Sequence, residues 1–230
     1  QEDPRTILHY RQQVGTETCR QSVFEFQKHI LEQREQLIPL VEELARNEGV
    51  EFPLGAPATI EYAALEYPFS FWQWGARCEE IPGPSSTAKE IFDHLEEIVD
   101  INFYDNKTYE QYLPAFYQFM SEFGYYGFDT TGLSHLLVHV KSPSNLSFCP
   151  KDAVIQYRPE YMKRMQDLAT RQGKHILYVY GGLDTWTSCS IVPKPGLKAL
   201  RLVHPTGGHR TKIRDMDAEQ RKLAVRTLRK

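Results

Sequence analysis

Apolar residues in the first half of the chain recur at helical spacing. Val23, Phe26, Ile30, Leu31, Leu37, Ile38 and Val41 share one face, with Glu32-Gln33-Arg34-Glu35 opposite, and Asn47-Glu48-Gly49 supplies a stop. Pro39 lies inside this pattern and predicts a kink or a division, because proline cannot donate the backbone bond one turn back. A second helix is predicted from the Ser86/Thr87 cap through Ile91, Phe92, Leu95, Ile98 and Val99, where Thr87 and Glu90 form a capping box. A third follows Thr108 through Tyr112, Leu113, Phe116, Tyr117 and Met120 to Gly124, with Pro114 at a possible bend. The stretch Tyr62 to Gly75 between the first two helices is unusually aromatic.

The texture changes after residue 140. Residues 141–152, rich in Pro, Ser and Asn, have no periodicity and read as a linker or surface loop. Beyond it, residues 158–173 read as a helix, 174–180 as a strand, 197–205 as a second strand and 215–230 as a helix. Both strands are almost wholly apolar, the mark of parallel strands buried on two faces by helices. The expected architecture is thus α/β, with a mainly helical part over residues 1–150 followed by an α/β part over 151–230.

Composition narrows the function classes. The 230 residues are 41% hydrophobic and 25% charged, which argues against disorder. A net charge of -3 gives no reason to expect nucleic acid or an anionic membrane as partner. The basic stretch from Arg210 to Lys230 suits the solvated face of a terminal helix. No apolar run approaches the ~20 residues of a membrane-spanning helix. The opening QEDPRTILHY has neither an initial Met nor the build of a signal peptide, and is expected to be mature, processed or cut from something longer. Cys19, Cys78, Cys149 and Cys189 show no metal-binding spacing, so no metal and no cofactor is expected. Cys19 and Cys78 have the option of pairing in an exported protein, and the sequence does not decide it. Asn106 and Asn145 head glycosylation triplets that matter only in a eukaryotic secretory route.

The candidate chemistry sits where the two strands end. In open α/β sheets reactive groups gather at the carboxyl ends of strands. The first strand runs into Gly181-Gly182-Leu183-Asp184, and the second into His204-Pro205-Thr206-Gly207-Gly208-His209. Asp followed by His on consecutive late strands is the last two-thirds of the Ser…Asp…His order of α/β-hydrolases, in which the imidazole moves a hydroxyl proton and the carboxylate holds its tautomer. Taken singly, Asp184 reads as a turn former or helix cap, Trp186 as packing and His209 as a loop residue. His135 and His139, four apart, lack a third ligand and the glutamate of a zinc-protease helix, and read as a packed or surface pair.

YGGLDTWTSCS (180–190), PTGGHRTKIRDM (205–216) and the following EQRKLAVRTL resemble the secreted serine peptidases related to prolyl tri- and tetrapeptidyl aminopeptidases, an α/β-hydrolase family with late segments like YGxxDPW and GxHGTRI. EYPFSFWQWG and the helical stretch up to GYYGF resemble its cap insertion, so the resemblance covers nearly the whole chain. It implies the C-terminal part of an α/β-hydrolase behind a mainly helical cap, with Asp184 as triad acid and His209 as triad base. It implies a peptide substrate cleaved near proline, and a secreted, cell-envelope or periplasmic setting. Two departures are Thr185 where the motif has proline and Arg210 where it has glycine. No G-x-S-x-G elbow occurs, so the nucleophile is expected upstream of Gln1, in an N-terminal half that would be this chain's partner. Cys189 has no elbow to present it as a substitute nucleophile.

The aromatic band Tyr67, Phe69, Phe71, Trp72 and Trp74 reads first as core, and under the resemblance Trp72, Trp74 and Trp186 become walls of a pocket for a proline ring. An aminopeptidase must also hold an ammonium group, for which Glu66, Glu79 and Glu80 are the candidates beside the band. The competing readings are an esterase or lipase on the same scaffold, and a non-catalytic binding module in which Asp184 and His209 stand beyond ~4 Å or face apart.

Overall fold

The computed structural model describes residues 2–228. Mostly helical, with small parallel sheets, it is built around one helix that the hydrophobic pattern does not reveal. The short strand β1 (Glu2–Asp3) and helix α1 (Arg5–Leu8) lead through a π-turn, His9–Gln13, to α2 (Glu17–Glu32) and α3 (Arg34–Glu48). Thr16 caps α2 by accepting from the Cys19 N–H, and Gly49, at φ 60°, ends α3 where the Asn-Glu-Gly stop was expected. The division between the two helices falls at Gln33 rather than Pro39. Pro39 stays inside α3 as its sixth residue, where its missing N–H forgoes the one bond to the carbonyl four residues back without dividing the helix.

Helix α4 (Ala56–Trp74) is the aromatic run, packed by α2, α3 and α5 (Ala88–Val99) at once. Nearly every side chain from Thr59 to Trp72 is buried, so the helix has no polar face and no amphipathic period to read. Helix α5 carries the capping box as expected, with the Thr87 N–H donating to the Glu90 carboxylate at 2.7 Å. The cap of α6 (Asn106–Gln118) is Asp105, three residues before Thr108, whose N–H donates to the Asp105 carboxylate at 2.7 Å. Pro114 stays within α6, which passes into a π-turn, Phe119–Phe123, and ends at Gly124. Strand β2 (Tyr125–Tyr126) then pairs in parallel with β1.

Two features tie irregular chain to the helices. The Glu61 carboxylate, fully buried on α4, accepts the backbone N–H groups of Val138, His139 and Val140 and lies 3.0 Å from Arg34 Nη1. His135 and His139 lie in this irregular segment, so helical spacing does not bring them together. Residues 141–152 are irregular apart from a 3₁₀ turn, Asn145–Phe148, but they are no free tether. Phe148 packs among Tyr62, Tyr104 and Phe116, and Asn145 is 1% exposed with its amide donating to the Tyr126 carbonyl, which closes that glycosylation triplet. Cys19 and Cys78 form a disulfide with their Cα atoms 5.6 Å apart.

The later part holds α7 (Glu160–Arg171), β3 (Ile176–Gly181), β4 (Ala199–His204) and α8 (Ala218–Leu228). The strands pair in parallel from Ile176 opposite Ala199 to Gly181 opposite His204. Leu202, Met216 and Ala224 make a small core under α8. The strands are half-buried rather than enclosed, because a two-stranded sheet has two open edges, and α7 buries none of its residues.

Candidate active site

The carboxyl ends of β3 and β4 turn toward the end of α4, and main-chain contacts fix all three. The Gly182 N–H donates to the His204 carbonyl at 2.7 Å and the Leu183 N–H to the Gly207 carbonyl at 2.9 Å. A Cβ on Gly181 would stand 2.3 Å from the carbonyl oxygens of Gly207 and Gly208, so this crossing admits only glycine there. The His209 N–H donates to the Gln73 carbonyl of α4 at 2.7 Å, and the Thr185 hydroxyl donates to the Phe69 carbonyl at 3.1 Å.

Asp184 serves two readings at once. Its Oδ1 accepts the Trp186 N–H at 3.1 Å, capping the 3₁₀ turn Thr185–Cys189, while its Oδ2 accepts from His209 Nδ1 at 2.9 Å. That separation is well inside the ~4 Å limit set for a working pair. The Asp184 side chain is 8% exposed and that of His209 46%. Among the described residues His209 Nε2 has no hydrogen-bond partner, and no serine hydroxyl bonds the imidazole. A neutral imidazole held this way has one nitrogen oriented and the other free to take or give a proton.

His209 lines an open cavity of about 990 Å³ together with Tyr126, Met162, Lys163, Trp186 and Cys189. Trp186 packs against Phe69 and both tyrosines of β2, so it is packing and cavity wall together. Glu66 stands one hydroxyl behind the wall, accepting from Tyr126 at 2.7 Å and from Ser70 at 3.1 Å, and burial pushes its carboxyl up to about 7. Trp74, 47% exposed, meets the His209 ring edge to face at 5.6 Å. Trp72 is elsewhere, 3% exposed in the helical core, where its ring occupies the space a Cβ on Gly15 would need. Glu79 and Glu80 are exposed beside Arg77 and take no part in the cavity lining.

Several neighbours carried no recognisable signal in the sequence. Glu2 and Asp3 line the cavity, and the Arg5 guanidinium hydrogen-bonded to Asp3 holds its carboxyl below the usual range. Burial pushes the imidazole of His9, 8% exposed, below its ordinary pKa, opposed by hydrogen bonds with the Leu183 backbone and the Gln13 side chain and by the Asp184 charge. The pairing of β1 with β2 and the packing of α1 and the His9–Gln13 turn against the Thr185–Cys189 turn bring these N-terminal residues here, and strands of two residues leave no pattern. Burial raises the Cys189 thiol, the reverse of what a thiolate nucleophile requires. Among the described residues no three potential metal ligands cluster, and no helix is long and apolar enough to cross a membrane.

Comparison with known proteins agrees on one family. The sequence model of the family described as PS-10 peptidase S37 matches residues 2–227. The prolyl tri/tetrapeptidyl aminopeptidase of Streptomyces mobaraensis is 24% identical over 221 residues, which is 93% of this chain and 46% of that protein. The chain thus spans about half the length of the curated relative it matches. No solved structure matches.

Proposed function

Because the chain belongs to the peptidase S37 family, we propose that it forms the cap and the Asp–His-bearing portion of an α/β-hydrolase serine peptidase that releases short peptides from N-termini at proline. The observation that carries this reading is Asp184 Oδ2 held 2.9 Å from His209 Nδ1 with Nε2 unpartnered beside a cavity. The carboxylate fixes the imidazole tautomer and steadies the imidazolium. His209 Nε2 takes the proton of a serine hydroxyl as that oxygen attacks the scissile carbonyl, then gives it to the departing amine; water repeats the cycle on the acyl-enzyme.

The serine is supplied by polypeptide outside this chain, a reading supported by the length of the Streptomyces relative and by the half-covered strands β3 and β4. Residues 1–150 act as the cap and 151–230 as the C-terminal hydrolase layer. Tyr126 and Trp186 wall the acyl site, and Glu66, with the Tyr126 hydroxyl, accepts the substrate's ammonium group, which favours a peptide over a simple ester. The Cys19–Cys78 disulfide supports an exported, oxidising setting.

In the complete enzyme Asp184→Asn is expected to lower kcat on a prolyl tripeptide anilide by about 10³–10⁴-fold with little change in KM. An unchanged kcat removes Asp184 from the mechanism. Hydrolysis of that anilide by the isolated 230 residues would overturn the assignment of the nucleophile to another segment.

A further inference from the structure

His209 has a second neighbourhood, outside the cavity lining. Trp74, at the end of α4, sets its indole edge to face with the imidazole at 5.6 Å, and the Arg210 guanidinium lies 5.2 Å over the same indole. Arg210 is exposed, and among the described residues it makes no ion pair or side-chain hydrogen bond. The segment carrying it is seated on the end of α4: the His209 N–H is bound to the Gln73 carbonyl, and the backbone approaches so closely there that a Cβ on Gly208 would lie 2.8 Å from that same oxygen. A guanidinium stacked on an indole keeps its plane oriented and its forked donors outward, and is weakly hydrated, the properties suited to a carboxylate. The resembled motif has glycine at this position, so the group is a feature of this chain.

The position beside His209 gives the cation its chemistry. The nitrogen that protonates the departing amine must lie against the first residues after the scissile bond, whereas the cavity on the other flank receives the acyl part. We propose that Arg210, held on Trp74, is a carboxylate receptor for the leaving peptide, selecting an acidic side chain or a nearby chain-terminal carboxylate just after the scissile bond. The inference rests on the peptidase reading above and adds a specificity to it.

The test uses the complete enzyme and three substrates with one prolyl acyl part, followed by Glu amide, Gln amide, or Gln with a free terminal carboxylate. A kcat/KM advantage of roughly three- to tenfold for a carboxylate-bearing substrate over Gln amide is expected at low salt, shrinking as salt is added. Whether the Glu amide or the free terminus gains identifies which carboxylate is read. The ratio cancels any change common to both substrates; it is expected to fall to about one in Arg210→Gln and below one in Arg210→Glu. A ratio retained in Arg210→Gln overturns the inference while leaving the peptidase reading intact. If the wild-type enzyme cleaves no prolyl peptide, that reading falls, and titration of this chain with Glu amide and Gln amide, followed by the His209 imidazole resonances, decides the inference. Glu-selective shifts lost in Arg210→Gln support it, and identical responses to the two amides overturn it.

Discussion

The helices around α4 and the strand layer of β3 and β4 meet at His209 but are built to different standards. Around α4, helices converge on a core whose largest members, Tyr67, Phe71, Leu95 and Ile101, are fully covered. In the strand layer three buried residues form the core, and α7 contributes none. The helical region is stabilised by its own packing, whereas the strand layer derives its order from loops pinned to α4 and from parallel pairing. The consequence is that the site depends on the helical region twice, for its walls and for the main-chain acceptor that seats His209.

The contrast breaks most forcefully at Glu61. Removing its carboxylate by Glu61→Ala leaves Arg34 buried and three backbone N–H groups unpaired, with an expected loss of about 3–5 kcal/mol in chemical denaturation. A loss below about 1 kcal/mol would mean that the helical region does not rely on this joint. A paired truncation sharpens the difference: Leu95→Ala in the large core is expected to cost about 3–4 kcal/mol and Leu202→Ala in the small one about 2. Equal costs would erase the distinction between the two cores.

At the boundary, Glu66 adds a pH dependence. Its carboxyl is raised from 4.5 to about 7, so between those values the folded protein holds a proton that the unfolded chain has released. Stability contributed by this group is therefore full below 4.5, falls as pH rises through about 7, and is flat above. Discounted for partial exposure, the fall is about 2 kcal/mol, and Glu66→Gln flattens it in thermal melts across that range. An unchanged slope in the variant would assign the dependence to another group.

Legibility in the sequence followed locality. The Thr87–Glu90 box, the Gly49 stop and the two apolar strands are set by neighbours a few residues away, and the structure keeps them. The order of Asp184 and His209 after consecutive strands was legible because strand ends dictate where loops meet, and the 2.9 Å contact follows. Helix α4 was opaque as a helix since burial on all sides removes the polar face that marks a period. The division at Gln33, the Glu61 joint, the arrival of Asp3 at the cavity and that of His9 beside Asp184 depend on contacts between distant segments, which no spacing records. Trp72 and Trp74 show the same limit within one helix: two residues apart, one is core and the other faces His209.

The seat of His209 on the Gln73 carbonyl has a genetic corollary. Every amino acid carries that carbonyl, so the identity of residue 73 is invisible to the contact it makes. The burden of sequence information shifts to the opposite side, where a Cβ on Gly208 would stand 2.8 Å from the oxygen. Under the proposed function, saturation mutagenesis of the complete enzyme, scored by prolyl anilide turnover, is expected to record broad tolerance at 73 beside near-total intolerance at 208. A main-chain seat of this kind leaves its trace in the residue that must stay empty, and none in the residue that supplies the bond.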